Sequence, residues 1–156
     1  LRIAPDAIIY PIKVFGRRIE TSTNILIEGI LWAIKNELKI LNISLGTLLP
    51  EALEPLYKIC EIARRKGIII VAAKSNSSEW SYPAIFENVI GGKAIECKAK
   101  GRFENAYRID GKRTKLKGNS FASPVISGII ALLLEKFSNA DTDYIRILLQ
   151  NNASLF

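Results

Sequence analysis

The feature that most constrains this fold is the stretch GNSFASPVISGIIALLLEKF at residues 118–137, in which small polar residues lead directly into a long apolar run. From residue 125 to 134 the pattern VISGIIALLL is apolar on nearly every face, which predicts a helix buried on all sides rather than an amphipathic surface helix. The run is too short to span a bilayer. Gly118, Asn119 and Ser120 are therefore expected at or just before the start of a central helix. There, free backbone N–H groups and the positive end of the dipole favour developing negative charge. A nucleophile suits that place. Asn and Ser are also ordinary capping residues, and Ala122, Ser123, Ser127 and Gly128 also suit close packing, so this stretch alone leaves both readings open.

A chain of 156 residues, 49% hydrophobic and 24% charged, holds one domain with a sizeable core. It has no internal repeat and no apolar run of membrane length. Cys60 and Cys97 fall on an apparent helix and a strand end, and they read as free thiols outside any metal-ligand cluster. The chain contains no Met and begins abruptly at Leu1, which leads us to expect a missing N-terminal part. It also contains no His, which removes the usual general base and any His-based metal site. The net charge of +7 is concentrated at residues 93–117, where nine Lys or Arg stand against Glu96, Glu104 and Asp110. The charges follow no helical or strand face, and no nucleic-acid motif accompanies them. A solvated surface is the expectation, with an acidic partner next and nucleic acid last.

Along the chain, residues 7–15 (AIIYPIKVF) read as a buried strand, with Pro11 suggesting an edge or a bulge. Residues 25–38 carry Ile27, Ile30, Leu31, Ile34 and Leu38 at helical spacing behind the candidate caps Ser22, Thr23 and Asn24. KILNISL at 39–45 is a second strand. Residues 50–66 form the clearest helix, with Pro50 in its first turn, Leu53, Leu56, Tyr57, Cys60 and Ala63 along its stripe, and Gly67 as its stop. IIIVAA at 68–73 is a strand covered on both faces, the mark of a parallel sheet. A polar loop at 74–83, a strand at 89–96, a small hairpin within 97–117 and a last helix over 141–151, with Tyr144, Ile145 and Leu148 inward, complete the chain. Strand and helix alternate, which predicts an open, layered α/β fold with a mostly parallel sheet.

Taken together, IAPDAIIYPIKVFG, EGILWAI, ILNISLG, GIIIVAAKSN, YPA and GNSFASPVISG resemble the subtilisin family of serine proteases. The match keeps the order and spacing of the family's C-terminal two thirds. It implies a single partial catalytic domain over residues 1–156, of three-layer subtilisin-like architecture. By resemblance, Ser120 in GNSFASP stands where the family's GTSMASP motif carries its nucleophile, and Asn76 where it carries the oxyanion Asn. Ser44, Leu45 and Gly46 match the SLG strand that lines the first specificity pocket. Ile19, Glu20 and Thr21 match the other substrate-pairing segment. Ser75 stands at the pocket wall beside Asn76.

The sequence departs from the family pattern at several places. Asn119 replaces Thr, Val125 replaces His, Lys74 and Ser75 replace Ala and Gly, and the APG segment has no match. The family's catalytic Asp and His both precede the stretch with which this chain begins. The resemblance thus implies a serine endopeptidase acting on extended polypeptide. Its His and Asp come from a missing N-terminal segment, and the chain alone is inactive. The alternative is a pseudoprotease that binds peptides without cutting them. No cofactor is evident. Calcium is implied by the family only, since no acidic cluster here has the spacing of a loop site. Neither sequence nor resemblance assigns a compartment.

Overall fold

Residues 68–73 are apolar without a break, and the fold uses both of their faces. In the computed structural model the described residues are 3–18, 20–76, 80–91, 102–107 and 112–151, with 102–107 and 113–117 described by their backbone alone. Strand β2 (Ile69–Ala72) is buried throughout. It runs parallel to β1 (Ile40–Ile43) on one side and to the short β3 (Ile90–Gly91) on the other, giving the order β1-β2-β3. Because successive side chains point to opposite faces, Ile70 and Ala72 join Leu41 and Ile43 beneath helices α1 (Thr23–Lys35) and α2 (Leu53–Arg65). Ile69 and Val71 join Ile90 beneath α3 (Asn119–Lys136) and α4 (Thr142–Asn151). The architecture is the expected three-layer α/β arrangement, and its three-stranded sheet is parallel.

Local chemistry sets the helix ends. The Ser22 Oγ accepts from the Ile25 N–H at 3.3 Å and caps α1. Pro50 opens a single 3-10 turn, Pro50–Ala52, that runs into α2. Gly67, at φ +75°, turns the chain out of α2 in a conformation that glycine adopts without strain. The Asp141 carboxylate accepts from the Tyr144 N–H at 2.8 Å at the start of α4. The polar segment after β3 contains the expected hairpin, β4 (Arg102–Tyr107) antiparallel to β5 (Arg113–Lys117). The expected strand at 89–96 is seen only as β3, and its remainder, Cys97 and most of the basic segment lie outside the described residues.

Three expectations are corrected. Residues 7–15 are extended but join no ladder among the described residues, and Ile8 and Ile9 are 79% and 63% exposed. Pro11 has no N–H to give a neighbouring strand. The following residues rest on α1 instead, where Ile12 and Val14 close over Gly29. A cavity of about 330 Å³ remains between residues 12–16, α1 and β1. The helix α3 is not buried on every face: Ser123, Ile129 and Ile130 are buried, whereas Leu132 is exposed. Its sheet side is covered, and the described elements leave its outer side open. In α4 Ile145 and Leu149 are buried and Leu148 packs partly buried against the same core, while Tyr144 turns outward with its ring edge-on to Phe137.

Glu61 ties the end of α2 to the turn before β3. Its carboxylate accepts from Arg64 twice at 2.9 Å, from Arg65 at 2.9 Å and from the buried Asn88 amide at 3.2 Å. These bonds, Arg64 first, hold its pKa well below the usual carboxylate range. A depressed folded pKa gives stability that is complete above the unfolded value of about 4.3 and is lost as pH falls through the folded one. In urea unfolding, Glu61→Gln is therefore expected to lower the midpoint clearly at pH 6. The gap to the parent should narrow steadily below pH 4.

Candidate active site

The C-terminal ends of β1 and β2 meet the N-terminus of α3, at the edge where ligands of open parallel sheets bind. Along β1 the apolar Leu41 and Ile43 turn toward α1 and α2, so the alternating positions Asn42 and Ser44 turn toward α3. The Ser44 Oγ receives the Asn42 side-chain amide at 2.8 Å. It lies 3.2 Å from the Ser120 carbonyl oxygen and 3.2 Å from the Ser123 Oγ. Pro124 explains the carbonyl contact. At four residues beyond Ser120 it lacks the N–H that would have closed the helical bond, and the Ser44 hydroxyl donates in its place. Ser127, one turn beyond Ser123, places its hydroxyl 3.1 Å from the Asn42 Oδ1 and 3.1 Å from the Ser123 carbonyl.

β2 leads into Lys74, Ser75 and Asn76 on the other side of the same helix start. The Asn76 Oδ1 accepts from the Asn119 N–H at 2.9 Å, which leaves the Asn76 Nδ2 as the donor end. That nitrogen lies 3.4 Å from where a Cβ at Gly118 would stand. The Asn119 side-chain amide donates to the Ser75 carbonyl at 3.0 Å, and the Ser75 N–H donates to the buried Ser81 Oγ at 3.0 Å. Thr47 and Tyr82 exchange backbone hydrogen bonds of 2.9 and 2.8 Å. Residues 81–82 therefore sit against Gly46, where a Cβ would come within 2.9 Å of the Tyr82 carbonyl oxygen.

The structure gathers most of the sequence-derived candidates. Ser120 is half-buried in the first turn of α3, Ser44 and Asn76 are exposed beside it, and Ser75 is half-buried. Leu45 packs against the α1–α2 core and Gly46 borders Tyr82. Glu20 is exposed, and the Thr21 hydroxyl is buried without a hydrogen-bond partner among the described residues. No hydrogen bond among the described residues joins Glu20 or Thr21 to Ser44, Asn76 or Ser120, and Ile19 lies outside the described residues. Sequence reading gave Asn42, Ser81, Ser123 and Ser127 no part in the site. The signal for three of them was present in the alternation Asn42–Ser44 on a strand and the i, i+4 pair Ser123–Ser127 on a helix. Ser81 carried no such pattern.

Chemically, the first-turn N–H of Ser120 has no intrahelical acceptor, and the Asn76 Nδ2 is left as a donor beside the same helix start. Among the described residues no group of three or more His, Cys, Asp or Glu side chains could hold a metal ion.

A parallel sheet between helical layers, with a serine at a helix start beside an asparagine amide, defines a subtilisin-like α/β fold. Solved structures agree: the nisin leader peptidase NisP from Lactococcus lactis superposes with a TM-score of 0.74 at 20% identity, over 90% of this chain and 60% of that one. The epidermin leader peptide processing protease EpiP from Staphylococcus aureus gives 0.75 at 17% identity, over 94% and 52%. The family model of the subtilases matches residues 1–107 and 104–155, and the chain belongs to the subtilase family. It is 29% identical to subtilisin DY of Bacillus licheniformis over 99% of this chain and 64% of that protein. It is 28% identical to the M-protease of Shouchella clausii over 99% and 45%. The chain thus spans less than two thirds of the length of either relative.

Replacing Ser44 by Ala removes the donor to the Ser120 carbonyl at a solvent-accessible seam. The expected loss is about 0.5–1.5 kcal/mol of unfolding free energy, read from urea titration, with Ser44→Thr closer to the parent.

Proposed function

We propose that the protein to which this chain belongs is a serine endopeptidase that cleaves polypeptides through an acyl-enzyme. The observation that carries the reading is the placement of Ser120 in the first turn of α3 beside the Asn76 amide, in a chain of the subtilase family. Ser120 is the nucleophile. The Asn76 Nδ2 and the Ser120 N–H stabilise the oxyanion of the tetrahedral intermediate. Ser44 to Gly46 and the segment of Ile19, Glu20 and Thr21 hold extended substrate, and Ser75 borders the pocket. A serine hydroxyl needs a base, and this chain contains no His, so His and Asp come from sequence outside it. The chain by itself is inactive.

The same absence of His favours a second reading, a pseudoprotease that holds peptide along the same cleft by strand pairing. The two part on the sequence preceding Leu1 in the full protein. Asp and His motifs there support the enzyme, and a full-length sequence with neither motif leaves peptide binding.

In the full-length protein Ser120→Ala is expected to abolish peptide hydrolysis and labelling by a fluorophosphonate, and the isolated chain should show neither. Asn76→Ala should lower kcat by roughly 10²- to 10³-fold with KM little changed. That magnitude is the one known for the corresponding donor in a subtilisin.

A further inference from the structure

We propose that Asn119 and Ser81 are positioning residues that hold the backbone around Ser75 from both ends and so aim the Asn76 amide. The inference rests on the oxyanion role proposed above for Asn76. An amide side chain can point its nitrogen at a reacting oxygen only if its own α-carbon is fixed, and a loop after a strand does not fix it unaided. Here both peptide groups flanking the Ser75 α-carbon are tied. The Ser75 N–H donates at 3.0 Å to the Ser81 Oγ, which is buried and so shielded from exchange with water. The Ser75 carbonyl accepts at 3.0 Å from the Asn119 Nδ2.

Asn119 grips the loop twice. Its side chain holds Ser75, and its backbone N–H holds the Asn76 Oδ1 at 2.9 Å. The main-chain bond engages the Asn76 Oδ1 and so leaves the Nδ2 as the amide's donor end, and the side-chain bond fixes the backbone from which that amide projects. The residue immediately before the nucleophile thus couples the nucleophile's helix to the oxyanion loop. The length and amide donor of Asn119 suit that task, because the acceptor is a carbonyl of the neighbouring loop.

Asn119→Ala is the discriminating variant, since it keeps the backbone bond to Asn76 and deletes only the bond to Ser75. In the full-length protein, hydrogen exchange followed by mass spectrometry over residues 73–76 should quicken at least severalfold in Asn119→Ala and in Ser81→Ala. It should also quicken in Asn119→Asp, which keeps the shape but cannot donate. Hydrolysis of a peptide substrate by Asn119→Ala should lose about ten- to a hundredfold in kcat with KM within twofold, as for a misplaced transition-state group. Unchanged exchange in Asn119→Ala, or quickened exchange with unchanged kcat, overturns the proposal. If the unmodified full-length protein hydrolyses no peptide, the protease reading fails separately. Quickened exchange in Asn119→Ala then still supports the clamp, and unchanged exchange still rejects it.

Discussion

β2 buries Ile69 and Val71 on one face and Ile70 and Ala72 on the other, so a helical layer is required on each side of the sheet. Burying Ile69, Ile70 and Val71 gains roughly 1.5–3 kcal/mol each, and neither face can be given up cheaply. The α1–α2 pair covers one face and the α3–α4 pair the other. The site follows from that stacking. With α3 pressed against the sheet, its N-terminus must lie over the C-terminal ends of β1 and β2, where the chain leaves the sheet as Ser44 to Gly46 and as Lys74 to Asn76.

The same packing explains what the sequence made legible. IIIVAA has no polar position and so announced a strand covered twice, and the stop at Gly67 and the cap at Ser22 were visible because they are local chemistry. The helix stripe of residues 50–66 was legible for the same reason, although Leu53 proved exposed and Ile59 buried. Residues 7–15 misled because composition reports that a segment suits a sheet but not whether a partner strand is beside it. The apolar run in α3 misled likewise, since a helix apolar on all sides requires cover that these elements supply on one side only. In the site, the resemblance singled out Ser120 and Asn76 as candidates, whereas the bonds of Asn119 and Ser81 depend on a backbone path that no spacing encodes.

The polar seam between β1 and α3 shows how a half-buried helix start is kept satisfied. Pro124 fixes the backbone early in α3 but strips the Ser120 carbonyl of its helical donor. The Ser44 hydroxyl supplies one, while its own lone pairs are met by Asn42 and Ser123. On the other flank, Asn119 answers the Ser75 carbonyl and the Asn76 side chain together. The serine is therefore held from two strands at once, by groups that also complete the hydrogen bonding of those strands' exits.

The bond from Ser44 to the Ser120 carbonyl joins residues 76 apart in sequence, and Ser123 reaches Ser44 across 79. Contacts of such separation form only after the loop entropy between them has been overcome, which places them late in folding behind the local helices. The geometry around Ser120 is thus a product of topological closure rather than of any local segment. A nascent or partly folded chain holds the serine without its surroundings, which ties the appearance of the site to completion of the domain.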